Sequence, residues 1–115
     1  MAVRAHIDTA GLASLPEALG RTAYRVVQEG LTNSRKHAPG SPVEVTVSAN
    51  GTAALVVEVV NAPGAAVSPV GLRRHEGGAG LVGLGERLAL VGGALEHGQT
   101  NDGGYMLRAA VPRRP

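Results

Sequence analysis

The sequence predicts an α+β fold, a two-layer α/β sandwich in which a mostly antiparallel sheet carries helices on one face. Three observations carry that expectation. Residues 14–38 and 81–91 place apolar side chains at helical spacing. Residues 3–7, 43–48, 54–60, 94–97 and 105–111 read as short strands, several of them alternating valine with polar residues. The order is strand, helix, two strands, helix, two strands. Such segregation favours adjacent antiparallel strands over parallel strands joined by helical crossovers.

Taken in order, Val3 to Ile7 reads as a short edge strand. Ser14-Leu15-Pro16-Glu17 reads as a helix start, with Ser14 placed to cap, Glu17 three residues on, and Pro16 tolerated in the first turn. That helix runs to Ala38, where Pro39-Gly40 stops it. Leu19, Ala23, Val26, Val27, Gly30, Leu31 and Ser34 form its packing stripe, and Gly30 on that stripe predicts a close neighbour. Val43, Val45 and Val47 alternate with Glu44, Thr46 and Ser48, and Asn50-Gly51 signals a hairpin into Ala54 to Val60. A Gly/Pro/Ala-rich loop follows. The second helix carries Leu81, Leu84, Leu88 and Val91 on one stripe and ends at Gly92-Gly93. A final hairpin turns around Asn101 to Gly104.

Composition limits the possible functions. The 115 residues suffice for one domain with a single core, and Tyr24 and Tyr105 are the only aromatics, so valine, leucine and alanine do the packing. The absence of cysteine removes disulfide and thiolate-metal chemistry. A formal charge of +2, with no basic stripe interleaved with aromatics, gives no case for nucleic acid as partner. No apolar run approaches the roughly 20 residues that span a bilayer, and no membrane contact is expected of this domain. His6 and His97 lie in strands without histidine or cysteine at ligand spacing, so no zinc site is expected.

Two stretches carry candidate chemistry. In Tyr24–Ala38, Glu29, Asn33 and Lys36/His37 recur at i, i+4 and i+7/i+8, on one predicted polar face. A carboxylate and a carboxamide one turn apart suit a divalent ion that completes its shell with phosphate oxygens. On spacing alone a solvated face with helical charge pairs is the simpler account. In Gly78-Ala79-Gly80-Leu81-Val82-Gly83, glycines open a helix whose first free N–H groups make an anion site, against the simpler account of a flexible loop.

Gln28-Glu29, Leu31, Asn33 and Lys36-His37-Ala38 resemble the N box of sensor histidine kinases, in the branch whose response regulators end in a helix-turn-helix. Gly78 to Gly83, with Leu84-Gly85-Glu86-Arg87 and Gly92-Gly93, resembles the G2 box of the same family. The G1 box, Asp-x-Gly-x-Gly in the family, reads here as Asn61, Ala62, Pro63, Gly64 and Ala65. The resemblance runs from about Leu15 to Pro112. It implies the Bergerat ATP-binding fold, with a mixed sheet, shared by gyrase and MutL. It implies ATP and Mg²⁺ as cofactors, Asn33 as metal ligand, and Glu29 as the catalytic carboxylate. Lys36, His37, Asn61, Gly78, Gly80, Leu81 and Gly83 become nucleotide-binding positions.

The implied partners are a dimerisation domain bearing the phosphoacceptor histidine and a response regulator. The implied setting is cytoplasmic, alone or as part of a membrane-anchored parent. The expectation for 1–115 is a single catalytic ATP-binding domain without dimerisation helices. Asn61 keeps an oxygen acceptor but loses the charge of the family's aspartate. Two alternatives therefore stand beside the kinase reading. One is a pseudo-kinase or interaction module with weakened or lost nucleotide binding; the other is a free-standing serine kinase of the anti-sigma type.

Overall fold

In the computed structural model, residues 3–8, 17–50, 53–63 and 78–112 are described. The chain forms β1 (Val3–Ile7), α1 (Glu17–His37), β2 (Val43–Asn50), β3 (Ala53–Asn61), α2 (Gly78–Ala89), β4 (Ala94–Gln99) and β5 (Tyr105–Pro112). The five strands make one mixed sheet in the order β1-β2-β3-β5-β4. β1 pairs in parallel with β2 and the other pairs are antiparallel. β1 is an edge strand, as its sequence suggested, and is exposed along its whole length.

The alternation read from the sequence sets the two faces. Val45 lies opposite Val59, Val47 opposite Val57, Val57 opposite Ala109, and Val59 opposite Leu107. All of these are buried, together with Val43, Leu55 and Val111. The other face carries Thr46, Glu58, Arg108 and Glu96 in a cross-strand row. Arg108 lies 3.8 Å from both Glu58 and Glu96, loose contacts on a wet surface that contribute little.

Both helices cover the valine face. α1 packs chiefly on β3 and α2 lies against α1 and β4. Leu19 and Val26 from α1 and Leu81, Leu84 and Leu88 from α2 complete the core. Gly30 shows why the long helix can lie so close to the sheet: a Cβ there would meet Val59 Cβ at 2.7 Å. The loss of helix propensity at this glycine is the condition for contact between α1 and β3.

Several boundaries differ from the expected ones. α2 begins at Gly78 rather than Leu81 and ends at Ala89 rather than Val91. Its early turns are glycine-rich, so no apolar period marked them. At its other end, Gly92 N–H donates to Ala89 O (3.1 Å) and Gly93 N–H to Leu88 O (2.8 Å), closing the helix with paired capping bonds. β2 and β3 each extend beyond the predicted stretch, with Asn50 opposite Ala53. Ser14 and Pro16, the hairpin residues Gly51 and Thr52, and the loop with Gly64, Ala65 and His75 lie outside the described residues.

Candidate nucleotide site

α1 brings three of the expected residues to different environments. Asn33 is 1% exposed, and neither its Oδ1 nor its Nδ2 has a hydrogen-bond partner among the described residues. The expected solvated polar face is thus corrected at this position. Asn33 follows Val26 and Gly30 at helical spacing and is buried with them, whereas Lys36 is exposed. Glu29 is half-buried. His37 closes the helix, and its side chain lies outside the described part.

The Glu29 carboxylate rests on the first turn of α2. A Cβ added to Gly80 would stand 2.8 Å from Glu29 Cδ and 2.9 Å from Oε1, so a side chain there would displace the flexible Glu29 carboxylate. α2 carries no acidic residue in its own first turn. Its free N–H groups favour negative charge there, and Glu29 supplies a carboxylate from the neighbouring helix. A cleft of about 220 Å³ runs between the two helices, lined by Arg25, Gln28, Glu29, Gly80, Gly83 and Arg87 among others. Leu81 puts its side chain in the core.

β3 delivers Asn61 to the same end of the molecule. Asn61 is 3% exposed. The Ser34 hydroxyl lies 3.2 Å from Asn61 Oδ1 and 3.0 Å from the Gly30 carbonyl, so two acceptors share one proton. Asn61 Nδ2 donates to the Ala62 carbonyl at 3.0 Å. Beyond the strand, Ser41 Oγ donates to Pro63 O at 3.1 Å and Ala62 N–H to Pro42 O at 3.0 Å, tying the chain after β3 to the start of β2. A larger cavity, about 490 Å³, opens beside Asn61 and Ala62 toward Arg4, Glu44 and Asp102.

The arrangement joins Glu29 to Gly80 and Gly83 across the helix cleft, and places Asn33 one residue from the Ser34–Asn61 link. Lys36 points to solvent with no ion pair among the described residues. Gly78 begins α2, with its immediate surroundings undescribed. Ser34 was read only as a small residue on the packing stripe, and its link to Asn61 was missed. Arg25 and Arg87 lie in the two motif-bearing stretches, yet nothing in their spacing showed that they face one cleft. Tyr105 is the cross-strand partner of Asn61, a neighbour that only strand register reveals.

The fold is that of the catalytic domains of histidine kinases. Full-length ShkA, solved in complex with AMPPNP, superposes with a TM-score of 0.64 at 19% identity, over 96% of this chain and 25% of that one. The nucleotide-free catalytic domain of the histidine kinase ThkA gives 0.61 at 16% identity, over 99% and 79%. No protein-family model matches the chain. In sequence it is 32% identical over 108 residues to the sensor histidine kinase YxjM of Bacillus subtilis, covering 92% of this chain. It is 38% identical over 80 residues to the signal transduction histidine-protein kinase/phosphatase DegS of Brevibacillus brevis, covering 70% of this chain. By sequence the chain is related to sensor histidine kinases, and its fold is that of their catalytic domains. It spans 20% of the length of DegS and 25% of that of YxjM.

Proposed function

We propose that this chain is the ATP-binding catalytic domain of a two-component sensor histidine kinase. It would hold Mg-ATP for transfer of the γ-phosphoryl group to a histidine on a dimerisation domain, and from there to a response regulator. The observation that carries this reading is Asn33. A buried carboxamide with neither atom paired costs stability, and a bound ion with its phosphates would satisfy it. Among the described residues no three His, Asp or Glu side chains gather as a metal cluster. A magnesium ion here would therefore draw one oxygen from Asn33 and others from phosphate and water, which suits its preferences. When bound, it offsets charge on the phosphate oxygens.

The chain's own residues supply the rest. The free N–H groups at the start of α2, around Gly78, Gly80 and Leu81, favour an anion, and Gly83, without a side chain, leaves the cleft beside them open. Lys36 and His37, near the end of α1, offset phosphate charge. Glu29 accepts the proton of the acceptor imidazole as its nitrogen bonds phosphorus and the bond to the departing ADP oxygen breaks. Asn61 lies at the base end of the site. The setting this implies is the cytoplasm, where ATP and the regulator meet. No helix among the described residues is long and apolar enough to cross a membrane.

A second reading draws on Asn61. Its carboxamide already bonds within the protein, which favours a pseudo-kinase in which base recognition has lapsed. Titration of Asn33→Ala with a non-hydrolysable ATP analogue separates the two. The kinase reading expects magnesium-dependent affinity in the native chain and its loss in the variant, with the fold retained by circular dichroism. Equal magnesium-dependent affinity in both proteins would remove Asn33 from the site.

A further inference from the structure

The cleft between α1 and α2 carries two guanidinia that have no role in the function proposed above. Arg25 comes from α1 and Arg87 from α2, and both line the same space of about 220 Å³. Both are exposed, and neither makes an ion pair or a side-chain hydrogen bond among the described residues. Glu29 stands one turn along α1 from Arg25, yet its carboxylate lies against Gly80 of α2 and forms no ion pair with Arg25. Two cations against one carboxylate leave the cleft net positive.

The space between the helices is kept open by the sequence. Gly83 precedes Arg87 by one turn, and helical side chains lean toward the N-terminus of their helix. The Arg87 side chain therefore leans toward a residue that has none. A Cβ at Gly83 would meet nothing within 4 Å. Gln28, on the same wall as Arg25, adds an amide donor.

Size and chemistry define the occupant. Pockets that enclose a drug-sized molecule measure about 300–1,000 Å³, so this cleft takes a smaller group. A guanidinium fork matches carboxylate and phosphate oxygens in paired contacts. Forks from two separate helices suit a group with oxygens on several sides, a tetrahedral phosphoryl rather than a planar carboxylate. Along α1, Asn33 lies about 12 Å from Arg25 with Glu29 between them. A polyphosphate that extends from Asn33 past Glu29 ends at this cleft.

We propose that the α1–α2 cleft is a phosphoryl site in which Arg25 and Arg87 bind the oxygens of a terminal phosphate group. On the nucleotide-binding function proposed above, on which this choice of source rests, the group is the end of the triphosphate. Free pyrophosphate offers the same chemistry without a base.

The test is calorimetric titration with AMPPNP and with ADP in the presence of magnesium, and with pyrophosphate alone. It is run on the native chain, on Arg25→Gln/Arg87→Gln and on Gly83→Leu, with folding checked by circular dichroism. The native chain should bind AMPPNP about tenfold or more tightly than ADP. The double variant should bring the two within about threefold, by weakening AMPPNP, and should lose pyrophosphate. Gly83→Leu fills the same space without removing charge and should act alike. A folded double variant that keeps the native AMPPNP-to-ADP ratio and pyrophosphate affinity overturns the proposal while leaving nucleotide binding intact. Parallel weakening of AMPPNP and ADP also overturns it, because that is attraction at a distance and not contact with one phosphoryl. Pyrophosphate binding lost in the variants, with no heat from either nucleotide, upholds the phosphoryl site and overturns the nucleotide reading. Silence with all three ligands overturns both.

Discussion

Asn33 sits at 1% exposure with both amide atoms unpaired among the described residues, on the helix face that also carries Val26 and Gly30. An unsatisfied buried polar group costs about 1–3 kcal/mol, and truncating a side chain leaves a small cavity of opposite effect. Asn33→Ala should therefore change the stability of the ligand-free domain by less than about 1 kcal/mol in urea denaturation. A loss of several kcal/mol would show that the carboxamide is bonded in the resting fold. A different residue contributes to acid stability. Asp102 accepts from the Thr100 hydroxyl and the Gly104 N–H, and these bonds hold its carboxyl below the usual value. A carboxyl lowered on folding contributes stability above its unfolded value, and that contribution is lost as pH falls through the folded one. Asp102→Asn should flatten the decline in melting temperature below about pH 4, read from melts between pH 3 and 6. Parallel profiles for the two proteins would contradict this. At this scale the sequence was least legible. Asn33 looked like part of a polar face because of its residue type, although its spacing from Val26 and Gly30 already placed it toward the sheet.

α1 and β3 form the central contact of the fold, and Gly30 against Val59 sets their separation. Ala at position 30 gains up to about 1 kcal/mol in helix propensity. It also places a Cβ 2.7 Å from Val59 side-chain carbons, and overpacking of this kind costs about 1–3 kcal/mol. The collision should win, so Gly30→Ala should lower the denaturation midpoint, and Gly30→Ala with Val59→Ala should recover part of it. Stabilisation by the single change would mean that the helix lies farther from the sheet. Elements whose residues repeat with a clear period were legible: the valines of β2 and β3, and the stripe through Leu81, Leu84 and Leu88. The start of α2 was not, because Gly78 to Gly80 lack the side chains that display a helical period. The β1–β2 pairing was also hidden, since a strand exposed on both faces carries no sign of its partner.

Across the whole molecule, one face of a five-stranded sheet is buried under two helices, and the candidate site lies where the end of β3, the last turns of α1 and the first turn of α2 converge. The two-layer architecture follows from alternation and element order alone. The site needed more. Glu29 and Asn33 could be set side by side from helical spacing, but the approach of Glu29 to Gly80 and the bond from Ser34 to Asn61 span 51 and 27 residues of sequence, which only a motif resemblance or a fold can supply. The relatives named here are far longer proteins, and the property of the proposed function that this chain alone can test is nucleotide binding. The deciding measurement is calorimetric titration of the native chain with a non-hydrolysable ATP analogue, with and without Mg²⁺. Saturable binding that strengthens with Mg²⁺ is the predicted result. No heat at millimolar nucleotide in the presence of Mg²⁺ would contradict the nucleotide site built from Glu29, Asn33 and the start of α2.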